Sequence, residues 1–373
     1  MFWATSAGKI GGATRTGAEI GPWSRWPPST LYYFRVRATS TLRDVAELVG
    51  VSSKTVSNVV NGHPAVSEAT RKRVLAAIEQ LDYRPNLNAR GLKSGTSGVI
   101  TLIIPDLRNA YFAELANSVM EAAKVHGVFV LIEQIGYDRE TEIESLRGPR
   151  SRLVDGILYS AMTLTEEDAD LLTTRTPTVL LGEQIFNGPI DHVTMRNVEA
   201  VEASTTLLLS KGRRRIVALG AQQQTSLGSS WLRLQGYEQA LTKAGIAIDP
   251  DLVVDTKGWH RADGAAAINS VIDKGTNFDG VVAFSDTLAL GAMRALQESG
   301  RRIPHDVAII GFDDIDETRY SLPTLSTVDA GRDTIATTAV EMLLHRINSK
   351  DAAEPPHETF VDFRLIERES TPR

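Results

Sequence analysis

The sequence has no cysteine among its 373 residues, so no disulfide can staple it and no thiolate can hold a metal. That absence fits a reducing cytoplasm. No apolar run is long enough to cross a membrane, and the first residues lack the apolar core, ~7 to 15 residues long, of a secretion signal. The seven histidines are scattered without HExxH spacing, and no GxGxxG is found. Gly12 and Gly17 have the spacing of a phosphate loop but lack the Lys and Ser or Thr that should follow. These absences leave no catalytic group, metal or cofactor to expect, and the chain reads as no enzyme.

What is present is ordinary globular material. Apolar residues make up 42% and charged residues 23%, over a length that exceeds one domain. Charge is uneven: residues 1–40 hold five basic and one acidic residue, residues 41–95 eight and five, and the remaining 278 residues 27 and 40. The net charges are +4, +3 and −13, so the head seeks phosphates while the body is repelled by them. Residues 1–40 are rich in Gly, Ser, Thr, Pro and Arg, carry three of the five tryptophans (Trp3, Trp23, Trp26) and show no periodicity. They are expected to be a disordered basic extension, or the product of a start assigned too early with Val36 as one candidate start.

Residues 41 to 85 read as three short capped helices. Thr41 caps the first with Asp44 returning the bond, Leu42, Val45, Ala46 and Val49 form an apolar stripe, and Gly50 ends it. Ser52 caps the second. There Val56, Val59 and Val60 face inward, leaving Ser53, Lys54, Ser57 and Asn58 on a small polar face that suits a DNA major groove. Ser67 with Thr70 opens a third helix that runs through Ile78 and Leu81. A plain three-helix bundle with a solvated face has the same pattern.

The stretches TLRDVAELVGVSSKTVSNVVNG, VSEATRKRV and YRPNLNARGL, continued by a series from about Gly98 to Glu369, resemble the LacI/GalR family of bacterial repressors. The resemblance implies that Ser53, Lys54 and Asn58 contact base edges and that Thr55, Ser57 and Asn61 mainly hold phosphates. It implies a hinge over residues 86 to 92 that becomes helical only on DNA, with Leu92 wedging into the minor groove. Gly91 is a poor helix former, so the free hinge is expected to be disordered. Many relatives carry Arg where this chain has Asn58. An arginine fork prefers guanine and an Asn amide pairs best with adenine, so Asn58 is expected to set this protein's own operator.

From Val99 the chain alternates apolar runs (VITLIIPD, VFVLIE, DGILYS, TVLLG, RIVALG, DGVVAFSD, DVAIIGFDD) with helical stretches, as buried parallel strands and their crossovers should. The strands are too many for one sheet. The fold expected is an N-terminal three-helix helix-turn-helix head plus hinge helix, then an α/β core of two doubly wound parallel-sheet subdomains like a periplasmic binding protein. The boundaries expected are 41–85 for the head, 86–97 for the hinge and linker, and 98–373 for the core. By resemblance, subdomain one takes 98–197 and 327–353 and subdomain two takes 198–326 and 354–373, with crossovers near Val198, Thr327 and Ala353. The helix Thr334 to Ile347 returns to the first subdomain, and Thr359 to Leu365 lies in the second.

Ligands in such sheets bind outside the C-terminal ends of strands. Tyr111 and Phe112 follow the first strand at the start of a helix, where both serve equally well as core aromatics. By resemblance Phe112, with Tyr111, lines an effector cleft, Arg233 contacts effector, and Trp259 stacks on a sugar or base face. Asp286 sits just past a buried strand at a helix start, either accepting from ligand hydroxyls or simply capping the helix. Several pairs depart from the family's usual letters: Gly182-Glu183, Arg196-Asn197 and Ala330-Gly331. Gly148-Pro149 breaks the helix expected from Arg139 to about Leu153.

The function implied is a DNA-binding transcriptional regulator, a cytoplasmic, nucleoid-associated repressor of carbohydrate uptake or catabolism genes. A small-molecule effector, a sugar or sugar derivative, switches its affinity for a pseudo-palindromic double-stranded operator. That geometry requires a homodimer, and the end at Arg373 without a heptad tail argues against a tail-mediated tetramer. The alternative is a sugar-binding protein whose head no longer binds DNA.

Overall fold

The structure is a computed structural model and describes residues 40–60, 63–83, 97–148, 153–221, 228–349 and 354–371. The chain divides into two units, Met1–Pro85 and Asn86–Arg373.

In the first unit, α1 (Leu42–Val49), α2 (Ser53–Val60) and α3 (Glu68–Gln80) form a small bundle. Each start is written in the sequence. Thr41 and Asp44 make a reciprocal capping box, with the Thr41 N–H donating to Asp44 Oδ2 at 2.6 Å. Ser52 Oγ accepts from the Thr55 N–H at 3.1 Å, and Ser67 Oγ accepts from the Thr70 N–H at 3.3 Å. Gly50, at φ 71°, takes the left-handed turn that lets its N–H close α1 on Ala46 and Glu47. Val45, Val56 and Val74, one from each helix, are fully buried together, so side-chain packing rather than propensity holds these short helices.

The second unit holds two parallel sheets. The first runs in the order β11-β5-β4-β3-β1-β2, from β1 (Val99–Ile104), β2 (Phe129–Gln134), β3 (Gly156–Ser160), β4 (Thr178–Leu181), β5 (Asp191–Met195) and β11 (Glu358–Val361). The second runs β7-β6-β8-β9, from β6 (Ile216–Leu219), β7 (Val253–Val254), β8 (Gly280–Ala283) and β9 (Ala308–Ile310). All pairings within both sheets are parallel. Between the strands lie α4 (Ala110–Val125), α5 (Arg139–Arg147), α6 (Asn197–Ser210), α7 (Ser229–Lys243), α8 (Arg261–Asp273), α9 (Asp286–Glu298) and α10 (Arg332–Asn348). Buried side chains such as Leu102 and Leu158 on one face of the first sheet, and Ile103 and Ile157 on the other, belong to separate clusters, as a doubly wound sheet requires. Helix α5 stops at Arg147, the residue before Gly148.

The chain passes between the sheets at Met195–Asn197, at β10 (Thr327–Asp329), and again between β11 and β12 (Arg364–Ile366), where β12 pairs antiparallel with β10. Of the Thr359 to Leu365 segment expected in the second subdomain, Thr359–Val361 lie in the first sheet instead, while Arg364 and Leu365 lie past the crossover. Glu358–Val361 is the edge strand of the first sheet, in register with His192–Met195. Its carboxylate at Glu358 is held there by buried His192, whose Nδ1 lies 2.9 Å away, and by the Asn187 N–H at 3.1 Å. Residues 350–353, where the third crossover was expected, lie outside the described residues, as do the expected hinge and Leu92.

Candidate functional site

Helix α2 of the head presents an exposed polar start. Ser53 and Lys54 are exposed on the first turn of α2, and Thr55, Ser57 and Asn58 are half-buried along it, while Val56 and Val59 point into the bundle. Polar reach is therefore greatest at the N-terminal end, the end that enters a major groove in helix-turn-helix proteins. Asn61 falls outside the described residues.

In the second unit a cavity of about 760 Å³, part of it open solvent at its mouth, lies between the two sheets. It is built at strand ends, as the doubly wound rule demands. From the first subdomain come Tyr111 and Phe112, on the first turn of α4 where Asn109 Oδ1 accepts the Tyr111 N–H at 3.1 Å, and Glu183 beyond β4. From the second come Arg233 on α7, Trp259 before α8, and Asp313 after β9. The two aromatics of α4 meet edge to face at 5.2 Å and 73°. Burial, followed by the charges of Asp313 and Glu183, pushes the Tyr111 phenol well above its ordinary value.

Arg233 is the hinge of this wall. Its Nε donates to Asn197 Oδ1 at 2.7 Å, Nη1 donates to the Phe284 carbonyl, and the guanidinium lies 3.7 Å from the centre of the Phe312 ring. Asn197 in turn donates through Nδ2 to Glu183 Oε1 at 3.1 Å. A polar chain thus runs Glu183, Asn197, Arg233 across the first crossover. Arg196 turns away from it, donating to Asp362 Oδ1 at 2.8 Å on the exposed side. The walls are also tied at their rims by Glu114, which accepts from the Asp316 N–H at 2.9 Å and pairs with Arg332 at 2.8 Å, and by Asp106 with His260 at 3.2 Å.

Asp286 is not on the cavity wall. It is fully buried as the first residue of α9, with Oδ1 accepting from Thr327 Oγ1 at 2.6 Å and Oδ2 from the Ile315 N–H at 3.0 Å. Nor does it cap the helix, since Ser285 Oγ receives the Leu288 N–H. Its place depends on Gly311, where a Cβ would sit 2.1 Å from Asp286 Oδ1. The cleft aspartate is Asp313, two residues past Gly311 in GFDD, held at φ 119° with its N–H bonded to the Val328 carbonyl. The strand-end rule that flagged Asp286 would also have reached Asp313. Glu183 and Asn197 were visible only as departures from the family's letters.

The two acids give the unliganded core a pH dependence. Burial pushes the Asp313 carboxyl up to about 7; Arg233 and Arg332 pull it back and Glu183 pushes it further up. Asp286 stands well above the carboxylate range, through burial and then the Asp313 charge. Both bind protons more tightly folded than unfolded. The contribution of Asp313 is fully present below the unfolded value of about 4 and is lost as pH rises through about 7, and that of Asp286 is lost as pH rises through its own raised value. Asp313→Asn is expected to flatten the fall in denaturant midpoint across that window, and Asp286→Asn to flatten it while sparing ligand binding. An unchanged pH slope in both variants would remove these acids from the account.

A head that offers a helical start to DNA and a core that folds around a ligand cavity define the class: a transcription regulator that answers to a small molecule. Residues 41–86 match the family of bacterial regulatory proteins, lacI family, and residues 205–371 match the periplasmic binding protein-like domain. The HTH-type transcriptional regulator RegA of Clostridium saccharobutylicum is 33% identical over 334 residues, 89% of this chain and 99% of its own. The chain belongs to the LacI family of bacterial transcription regulators. Among solved structures, a LacI-family regulator from Sanguibacter keddieii is 47% identical with a TM-score of 0.69, covering 74% of this chain and 99% of its own. The regulator CelR in complex with cellobiose is 28% identical (TM-score 0.65, covering 89% and 99%), and the Lac repressor dimer bound to operator and the anti-inducer ONPF is 26% identical (0.76, covering 90% and 100%).

Proposed function

We propose that this regulator represses carbohydrate uptake or catabolism genes, and that a sugar in the inter-sheet cavity sets its grip on the operator. The carrying observation is the cavity itself: Trp259, Tyr111 and Phe112 offer apolar ring faces while Asp313, Glu183 and Arg233 offer acceptors and donors between them. Aromatic faces with a few convergent polar groups are what a pyranose, with its CH-rich face and hydroxyl edge, requires. Asp313 takes the role expected of Asp286, and Tyr111, Phe112, Arg233 and Trp259 keep theirs. Ser53, Lys54 and Asn58 read base edges, with Thr55, Ser57 and Asn61 on phosphates and Leu92 in the minor groove.

The protein acts as a homodimer on a pseudo-palindromic operator in the nucleoid. The surface for a second copy is the edge strand β2 and the end of α4, where Val125, Phe129 and Leu131 are 83%, 64% and 55% exposed. A free sheet edge lined with apolar side chains invites a covering partner. Cleft closure changes the relative angle of the subdomains and so the spacing of two hinges on one operator.

A gel shift after selection from random pseudo-palindromic DNA at low salt tests this. Specific binding is expected, with adenine preferred opposite Asn58 and a shift toward guanine in Asn58→Arg, worth about 1 to 3 kcal/mol of discrimination. A sugar from a carbohydrate panel should change operator affinity. Failure of any selected sequence to bind would leave a ligand-binding protein with an inactive head.

A further inference from the structure

We propose that Glu183 selects the effector by charge, making the cleft a site for an uncharged or amine-bearing sugar and closing it to sugar phosphates and sugar acids; this rests on the carbohydrate reading above. Gly182, at φ 97°, turns the chain at the end of β4 and delivers Glu183 to the cavity wall. One carboxylate oxygen accepts from Asn197, and the other receives no hydrogen bond among the described residues.

The one cation among the described lining residues is already engaged. Among the described residues lining the cavity, Arg233 alone carries positive charge, and its guanidinium is bonded to Asn197 and Phe284 and stacked on Phe312. An arginine that recognises phosphate or carboxylate presents its planar fork free to the anion. Here Nε, half of one fork edge, is committed to Asn197.

Two carboxylates, Glu183 and Asp313, share the wall with Arg233; Arg332 behind Asp313 donates to its backbone carbonyl at 3.3 Å, so Glu183 is the acid with no cation of its own. Thr194, 1% exposed on the same wall, has a hydroxyl with no partner among the described residues. The Glu183 oxygen is a vacant acceptor, and the Thr194 hydroxyl can donate or accept. Hydroxyl and ammonium groups suit Glu183, whereas a phosphate or carboxylate would bring like charge beside it in a site partly shielded from water.

The experiment uses the full-length protein and calorimetric titration after a thermal-shift screen with matched sugars. The set is glucose, galactose, ribose and cellobiose; glucosamine and galactosamine; glucose 6-phosphate, galactose 6-phosphate and ribose 5-phosphate; and glucuronate and galacturonate. A neutral or amine-bearing sugar is expected to bind wild type at least about 10-fold more tightly than the anionic form of the same ring. In Glu183→Gln, checked for folding by its own melt, that gap is expected to narrow to about 3-fold or less. The wild-type ratio decides even if the variant does not fold. An anionic sugar binding as tightly as its neutral parent overturns the charge selection and leaves the carbohydrate reading standing. No binding by any of these sugars, with operator binding intact, overturns the carbohydrate reading itself.

Discussion

Replacing Gly291 by valine is expected to unfold the second subdomain, with a stability loss of about 4 kcal/mol or more against a total of about 5 to 15 for a native domain. Helices α8 and α9 cross backbone to backbone at this residue. A Cβ on Gly291 would lie 1.9 Å from the Arg261 carbonyl oxygen and 2.9 Å from the Ala265 nitrogen. The reciprocal residue Gly264 would place its Cβ 2.2 Å from the Leu288 carbonyl oxygen. None of these neighbours is a side chain that can swing aside, so the helices would have to separate. Separation would open the cluster of Ile268, Leu288, Ala292 and Leu296, all 0% exposed, in an interior with no slack to absorb it. Denaturant melts of Gly291→Ala and Gly291→Val measure this, with valine the worse. A valine variant within about 1 kcal/mol of wild type would mean the crossing is not so tight.

Arg233→Met should remove cleft binding by about 100-fold or more and cost about 2 to 4 kcal/mol of stability. Methionine keeps the apolar stem over Phe312 but withdraws the donors to Asn197 and the Phe284 carbonyl, leaving buried acceptors bare. It also leaves Glu183 and Asp313 on the cavity wall with no cation between them. Arg233→Lys separates the two effects, because it restores charge without the planar fork that serves Asn197 and Phe284 together. Titration with the sugar identified in the matched set, beside denaturant melts, reads both losses. Retention of binding within about threefold in the methionine variant would take Arg233 out of the site.

The head was legible because its instructions are local. Thr41, Asp44, Gly50, Ser52 and Ser67 act on backbone groups within four residues, so their positions alone mark where helices start and stop. The long strands were legible for a similar reason, since a run such as VITLII buried on both faces needs no partner to be recognised. The short ones were not. Thr359 to Leu365 read as one piece of the second subdomain, yet the chain changes sheets within it, because Glu358 is anchored by His192, 166 residues earlier in the chain.

The same division runs through the cleft. Tyr111, Phe112, Arg233 and Trp259 stand where strand ends and family letters put them. The choice between two acidic strand ends did not follow from either. Asp286 and Asp313 both come just after buried strands, and nothing local distinguishes them. The distinction is made by Gly311, Thr327 and Ile315, which enclose Asp286, and by the left-handed backbone that aims Asp313 the other way.

The sequence by itself determined the helix caps, the parallel strands, the two-part plan and the chemical types offered to DNA and ligand, because each depends on residues that are neighbours along the chain. Only the tertiary structure decided which sheet receives β11, which aspartate lines the cavity, and that Glu183 and Arg233 share one polar chain through Asn197. Those outcomes depend on contacts between residues far apart in sequence, where steric fit and burial choose among groups that look alike in a linear reading.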